Sequence, residues 1–392
     1  MMILRVFIFS FLLCGAAMAG NPERAGQAGA TQLLVNPYAR SSGVGGINVA
    51  NTAGIESAIT NPAGISTTRR TEVVFSHTLW LVGTDIRINS LGFSQRLGKK
   101  GGVLGLSVVS FDIGQIEITT IDQPDGGIGY FTPTFLNVGL SYAKEMVADR
   151  IFVGATVKLV HESIPDVAAN GVAFDAGVQY RNRDQRFRLG VALRNVGPKM
   201  RYSGDGLSFR ADAGGTNFDN ATSTVSDDFE LPGQLYIGAS YELTFGKPTS
   251  YRNIVSKREV TVQGSDLADS VVYEVRKLDS IAVYDHKLLP LFSFISNAFQ
   301  RDQIGLGLEY RFREMFMVRG AYLWENGGLN KDDSRNAYSG ITAGATFEFP
   351  FSVRDGKTKE RTKTTSTIAV DYSYRHTWFF EGTHSFGLRL NL

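Results

Sequence analysis

The stretch GQLYIGASYELTF, residues 233–245, separates into two lists when every second residue is taken. Leu235, Ile237, Ala239, Tyr241, Leu243 and Phe245 fall on one side; Gln234, Tyr236, Gly238, Ser240, Glu242 and Thr244 fall on the other. Successive side chains of a strand point to opposite faces, so this is a ribbon with one apolar face and one polar, glycine-dotted face. A soluble sandwich would turn the polar face to water. An outer-membrane barrel would turn the apolar face to lipid and line its lumen with the polar one. The choice between them depends on how often the pattern recurs and on what precedes it.

The pattern recurs almost to the end of the chain. Val172, Phe174, Ala176, Val178 and Tyr180 alternate with Ala173, Asp175, Gly177, Gln179 and Arg181, and Ile304, Leu306, Leu308, Tyr310 and Phe312 alternate with Gln303, Gly305, Gly307, Glu309 and Arg311. Strands are expected at about 71–82, 86–97, 102–112, 134–145, 151–162, 171–182, 186–197, 233–245, 288–299, 302–313, 315–325, 338–349, 365–375 and 383–392. That is an even set of about fourteen, each of a length that crosses a bilayer when tilted. Short connections at 98–101, 146–150 and 182–185 are set against long ones at 113–133, 198–232 and 326–337. Short turns on the periplasmic side and long loops outside are usual for such barrels. The segment 246–287 is the exception, being long, charged and partly strand-like on the short-turn side.

What precedes the strands points the same way. Residues 1–19 read as a secretory signal, with Arg5, an apolar run from Val6 to Leu13 and Ala17-Met18-Ala19 before Gly20. Cleavage there removes Cys14, the single cysteine, and with it any disulfide or thiol chemistry. No later run reaches the ~18 apolar residues of a transmembrane helix, so a membrane protein of this sequence has to be a barrel. Residues 20–70 are rich in Gly, Ala, Ser and Asn and lack alternation, with a short helix expected near 28–34. Irregular backbone of this kind cannot face lipid, which places the segment as a plug inside the lumen.

Composition supports one large closed barrel. The 392 residues are 43% hydrophobic and 20% charged, with 43 Gly, 26 Phe and 15 Tyr. Glycine suits crowded or bending strands and aromatics suit the membrane interfaces. A net charge of +2 spread along the chain leaves no nucleic-acid footprint.

No catalytic, cofactor or metal constellation is complete. His161-Glu162 lacks the second histidine of a zinc-protease motif, and neither Gly105-Leu106-Ser107 nor Gly238-Ala239-Ser240 ends in the glycine of a nucleophile elbow. Asp122 to Gly126 lacks the alternate acidic spacing of a calcium loop. Lys158, Asp175, Arg181, Arg188, Arg194, Glu242, Glu309, Arg311, Arg319, Asp371, Arg375 and Arg389 all fall on inward faces. Their mixed signs favour a paired ionic lining over a selectivity filter. Two long loops carry apolar clusters: Ile128, Tyr130 and Phe131 in one, Leu207, Phe209 and Phe218 in the other. Each is either a lid over the barrel mouth or a docking surface.

Ala39 to Gly46 (ARSSGVGG), Asn61-Pro62-Ala63-Gly64 and Phe75-Ser76-His77 resemble the amino-terminal signature of the PorV/PorQ family. Asp371 to Tyr374 through Gly382 to Phe386 is similar to that family's closing hairpin, and Leu231 to Gln234 and Gly307 to Tyr310 also fit. Within the first block Arg40, Gly43, Gly45 and Gly46, and within the second Asn61, Pro62 and Gly64, form the plug motif. The resemblance implies a FadL-like fourteen-stranded transmembrane barrel with an amino-terminal plug, in the outer membrane. It also implies a non-enzymatic part in type IX secretion, with cargo carboxy-terminal signal domains, the translocon barrel or attachment-complex proteins as partners. The segment 246–287 reads as an insertion, and the chain closes on Leu392 where an aromatic is usual.

Two functional classes follow. A secretion partner needs an exposed docking surface, for which Ile128, Tyr130, Phe131, Leu207 and Phe209 are the candidates. A FadL-like transporter of hydrophobic small molecules needs a continuous apolar cavity lined by the 30–65 segment and a lateral opening in the wall. The polar lumen faces and apolar loops favour the partner.

Overall fold

The computed structural model describes residues 20–98, 101–212, 219–263, 270–326, 339–351, 366–378 and 380–392. The expected signal, 1–19, lies outside them, as does Phe218. Alternation at a period of two becomes a closed antiparallel barrel of fourteen wall strands. In chain order these are β1 Thr71–Leu79, β2 Arg87–Arg96, β3 Val103–Asp112, β4 Thr134–Val147, β5 Ile151–Ile164, β6 Val167–Arg181 and β7 Phe187–Val196. They continue with β8 Gln234–Tyr241, β9 Ser270–Asn297, β10 Gln303–Phe312, β11 Phe316–Glu325, β12 Gly340–Phe351, β13 Ser366–Arg375 and β14 Thr383–Asn391. Each wall strand pairs with its chain neighbour, and β1 with β14 closes the ring from Glu72↔Asn391 to Leu79↔His384. Closure leaves no sheet edge in the wall, which is what permits a sheet to sit in lipid.

The two lists of the 233–245 stretch separate as the alternation requires. Gln234, Tyr236, Gly238 and Ser240 are buried, while Ile237 is 43% exposed on the outer face. The same division runs around the ring: Phe174 and Val178, Leu306 and Leu308, and Phe386 and Leu388 all face out. These side chains form the apolar surface that meets lipid.

The inner faces differ from the expected polar lumen. Val74, Ile88, Val109, Tyr236, Leu291 and Ile295 also point inward, and each is buried against the irregular segment that precedes β1. That segment contains 3-10 turns at Pro22–Arg24, Thr31–Leu34 and Pro62–Thr67 and short helices at Ala39–Ser42 and Ser57–Thr60. Tyr38, Ile47, Ile55 and Ile65 are fully enclosed. The hydrophobic core of this barrel therefore lies between its inner segment and its wall. In a water-filled porin the inward positions could have been polar throughout; here a folded segment occupies that space and needs apolar surface to pack on.

Two features lie beyond the wall. Leu243–Gln263 pairs with β9 from Leu243↔Leu288 to Gln263↔Ser270, so that the described residues of 246–287 form a long two-stranded arm at the short-turn end. β5 and β6 run past their expected ends to a tight turn at Pro165 and Asp166, with Asp166 at φ +61°. Both departures have one cause, since backbone pairing continues wherever two strands stay adjacent, whatever the face pattern.

Candidate functional site

The inner segment is joined to the wall by named contacts at each motif position. Asn61 caps the Pro62–Thr67 turn, its Oδ1 accepting from Ala63 N at 3.2 Å. Its amide donates to the carbonyls of Val49 (3.0 Å), Val178 (3.1 Å) and Val191 (3.4 Å), linking the segment to β6 and β7 at once. A β-carbon on Gly177 would lie 2.0 Å from Asn61 Oδ1, and one on Gly154 would lie 2.4 Å from the carbonyl of Pro62. Wall glycines are thus what lets this turn reach the sheet. Gly43 approaches Gly344 of β12 so closely that a β-carbon on either would be 3.0 Å from the other's Cα, and Thr342 Oγ1 donates to Gly43 O at 3.3 Å. Gly45 and Gly46 carry φ of +63° and +76°, the left-handed region that glycine enters without strain. Gly64 O accepts from Gly54 N at 3.1 Å and from Thr67 Oγ1 at 2.7 Å, closing the segment on itself. Arg40 lies against Met317, and its carbonyl accepts from Arg319.

The inward charges are paired. Lys158 meets Asp175 at 2.5 Å and donates to Asn195 Oδ1 at 2.8 Å. Glu309 holds Arg311 at 2.5 Å and Arg319 at 2.8 Å, and Arg319 donates on to Thr346, which in turn bonds Asp371. Arg389 of β14, 2% exposed, is surrounded by Glu348 (3.5 Å), Glu56 (3.6 Å) and Asp371 (3.8 Å). Glu56 belongs to the inner segment, so this cluster ties the last wall strand to it. Buried charges need such partners because their desolvation is costly, and a paired lining specifies a fixed packing more than it adds stability.

The loop candidates fall on two small hairpins at the long-loop end. In 113–133, Ile116 and Glu117 pair with Phe131 and Tyr130, and Gly127 N donates to Glu117 Oε1 at 2.8 Å. This hairpin exposes Ile121 fully, Tyr130 by 62%, Ile128 by 47% and Ile116 by 42%, while Phe131 is half-buried. In the second loop Leu207, half-buried, ends the turn Asp205–Leu207, and Phe209 stands on Ser208–Asp212, which pairs with Asp219–Ser223. The base of this loop folds back over the mouth. Ala28 bridges Glu230, Met200 bridges Phe229, and the rings of Tyr202 and Phe229 lie 5.3 Å apart. Ion pairs Arg24 to Glu230 (3.1 Å) and Arg201 to Asp228 (2.7 Å) fasten it, and the hydrogen bonds of those arginines hold both carboxylates below their ordinary range. The structure does not join the two apolar clusters into one described sheet: they occupy separate two-stranded sheets.

Two larger cavities flank the inner segment. One of about 540 Å³ opens at the long-loop end, between Ala28–Val35 and the wall residues Trp80, Phe111 and Phe135. The other, of about 310 Å³, lies at the short-turn end and is lined by Arg40, Arg69, Glu72, Glu314, Glu348 and Arg389. Among the described residues they share none of their lining.

A family model described as type IX secretion system protein PorV matches residues 19–244, more than half of the chain. The chain belongs to the PorV family. No curated protein matches it. Among solved structures it is similar to the Pseudomonas putida toluene transporter TodX, at 14% identity over 90% of this chain and 96% of that one, with a TM-score of 0.44. It is also similar to a Pseudomonas aeruginosa FadL homologue, at 11% identity over 87% and 94%, with a TM-score of 0.40. This PorV-family protein is an outer-membrane barrel of a type IX secretion family, in contact with lipid around its wall. The family match ends at residue 244, just inside the first arm strand, so the arm lies beyond it. The transporter reading called for an apolar cavity against the 30–65 segment, and the mouth cavity of this PorV-family barrel is lined in part by residues 30–35 of it. The signal for the mouth cavity was inward aromatics at strand ends, Phe111 and Phe135, which face-by-face alternation treats as ordinary wall.

Proposed function

We propose that this barrel is a non-enzymatic partner in type IX secretion that captures the carboxy-terminal signal domains of cargo at its long-loop end, next to the translocon barrel or attachment-complex proteins. By the habit of such barrels that end faces outward and the short turns face the periplasm. The observation that carries the reading is the free-standing 113–133 hairpin, whose Ile121, Ile128 and Tyr130 are exposed beyond the wall with nothing packed on them among the described residues. Apolar side chains displayed beyond the membrane mark interaction sites, and aromatic anchors at such sites typically cost about 2 kcal/mol or more when truncated. Leu207 and Phe209 on the second loop extend the surface, while its tethered base acts as a lid. The segment 20–70 acts as the plug, which leaves loops as the route for contact with a folded domain.

The test is a pull-down with a cargo signal domain. The Tyr130→Ser and Phe131→Ser double variant should lose capture while keeping its membrane amount and its heat-modifiable mobility on gels. Undiminished capture by a well-folded double variant overturns the assignment of these residues. A second reading, transport of hydrophobic small molecules, is favoured by the apolar mouth cavity. Transport also requires passage, which a plugged lumen would not provide. Uptake of an apolar solute by vesicles carrying the full chain would restore that reading.

A further inference from the structure

We infer that the cavity at the short-turn end is a binding site for a phosphate monoester, with Arg40 of the inner segment as its anchoring cation. The inference stands apart from cargo capture. The cavity's volume of about 310 Å³ falls at the lower end of the ~300–1,000 Å³ of small-molecule pockets. Its lining is rich in charge, with Arg40, Arg69, Arg313 and Arg389 set among Glu72, Glu314 and Glu348.

The partners of these charges set the ligand's chemistry. Each glutamate is engaged: Glu314 holds Lys287 at 2.5 Å and Arg311 at 3.6 Å, Glu348 holds Arg389 at 3.5 Å, and Glu72 accepts from Ile55 N at 2.9 Å and Thr68 Oγ1 at 3.3 Å. Arg313 is paired with Asp285 at 3.2 Å. Arg40 and Arg69 form no ion pair with any described carboxylate, that of Leu392, which also lines the cavity, included. The one described hydrogen bond of the Arg40 guanidinium goes to the sulfur of Met317 at 3.9 Å, a weak acceptor that Arg319 also approaches, at 3.8 Å. The carboxylate of Glu309 is already used, one oxygen by Arg311 and the other by Arg319. Arg40 is half-buried but its nitrogens are not sealed, unlike the enclosed Nε of Arg389. A cation partly withdrawn from water without a carboxylate is favoured by an anion from outside. Guanidinium groups meet phosphate with parallel N–H bonds, and two arginines with a hydroxyl suit three terminal oxygens better than the two of a carboxylate. Thr367 supplies the hydroxyl: its Oγ1 accepts from Asn391 Nδ2 at 3.1 Å, and its own proton has no acceptor among the described residues. Met315 and Pro350 complete the lining, an apolar surface for the organic part of an ester.

The test is calorimetric titration of the full chain in phosphatidylcholine nanodiscs at about pH 8, where a phosphate monoester carries close to two charges, with empty nanodiscs as the blank. Glycerol 3-phosphate represents a soluble ester, and dihexanoyl phosphatidic acid presents the same group as a lipid headgroup. Saturable binding of at least one is expected, and a tenfold preference for either names the source of the phosphate. Arg40→Gln should weaken binding at least tenfold and Arg69→Gln at least threefold. Arg87→Gln, which removes an exposed cation at the far end of β2, should change it less than twofold. Heat-modifiable mobility checks the fold of every variant, and because Arg69 is exposed its variant tests the site even where Arg40→Gln weakens the barrel. No saturation with either ester, unchanged affinity in both Arg40→Gln and Arg69→Gln, or an equal loss in Arg87→Gln overturns the inference.

Discussion

Ile237 and Ser240 lie three residues apart on one strand and face opposite solvents. Ile237 points to lipid, 43% exposed, and arginine there should cost about 2 to 4 kcal/mol near the midplane. The alternation alone suggests that arginine at the lumen-facing Ser240 would cost much less than at Ile237. The structure places Ser240 on the inner face at 1% exposure, where a large cation would be desolvated. Ile237→Leu is therefore the proper control. Refolding into vesicles over a urea series should show Ile237→Arg losing stability in that range and Ile237→Leu losing less than about 1.5 kcal/mol. Equal losses for the two would mean that the strand is not in lipid in this register.

At the scale of elements, the arm and the hairpins separate pairing from packing. The arm keeps its backbone bonds from Ser250↔Val283 to Gln263↔Ser270, yet only the upper part of β9 is bonded to other wall strands, Leu291 to Asn297 to β8 and His286 to Ile295 to β10. A two-stranded ribbon without further partners is marginal in water. Among the described residues the first arm strand pairs with β9 and with no other wall strand. Replacing residues 247–284 by a two-residue Asn-Gly turn, which joins strands still paired at Phe245↔His286, should leave heat-modifiability and membrane amount unchanged. Loss of the folded barrel in that deletion would show that the arm organises the wall. The 113–133 hairpin is equally short of packing, and it is this lack of cover that singles out Tyr130 and Ile128 from the other aromatics and aliphatics of the loops.

For the whole molecule, the governing feature is the packing of the segment before β1 against the inner faces of the wall. The core groups Ile55, Ile59 and Ile65 with Val74 and Ile88, and Val44 and Ile47 with Leu291 and Leu323, so wall and inner segment stabilise each other. If 20–70 is a plug, the full chain in a planar bilayer should conduct poorly. A chain secreted without 20–68, if it inserts, should open large steady channels, since Gly154, Gly177 and Gly190 then line an empty pore. Equal conductance of the two chains would mean that the segment does not obstruct the lumen.

The sequence by itself determined the wall: fourteen strands, their faces and the inward charges, because a period of two is a local property that each strand carries alone. It also determined the family, since motifs such as ARSSGVGG and NPAG are contiguous. Which inward positions are apolar for packing, how Arg389 comes to meet Glu56, Glu348 and Asp371, and where a cavity is left at the mouth were decided only by the tertiary structure. Those depend on the shape of an irregular segment pressed against a curved sheet. Residues as far apart as Leu34, Trp80, Phe111 and Tyr202 share that cavity, and no local pattern in the chain records their meeting.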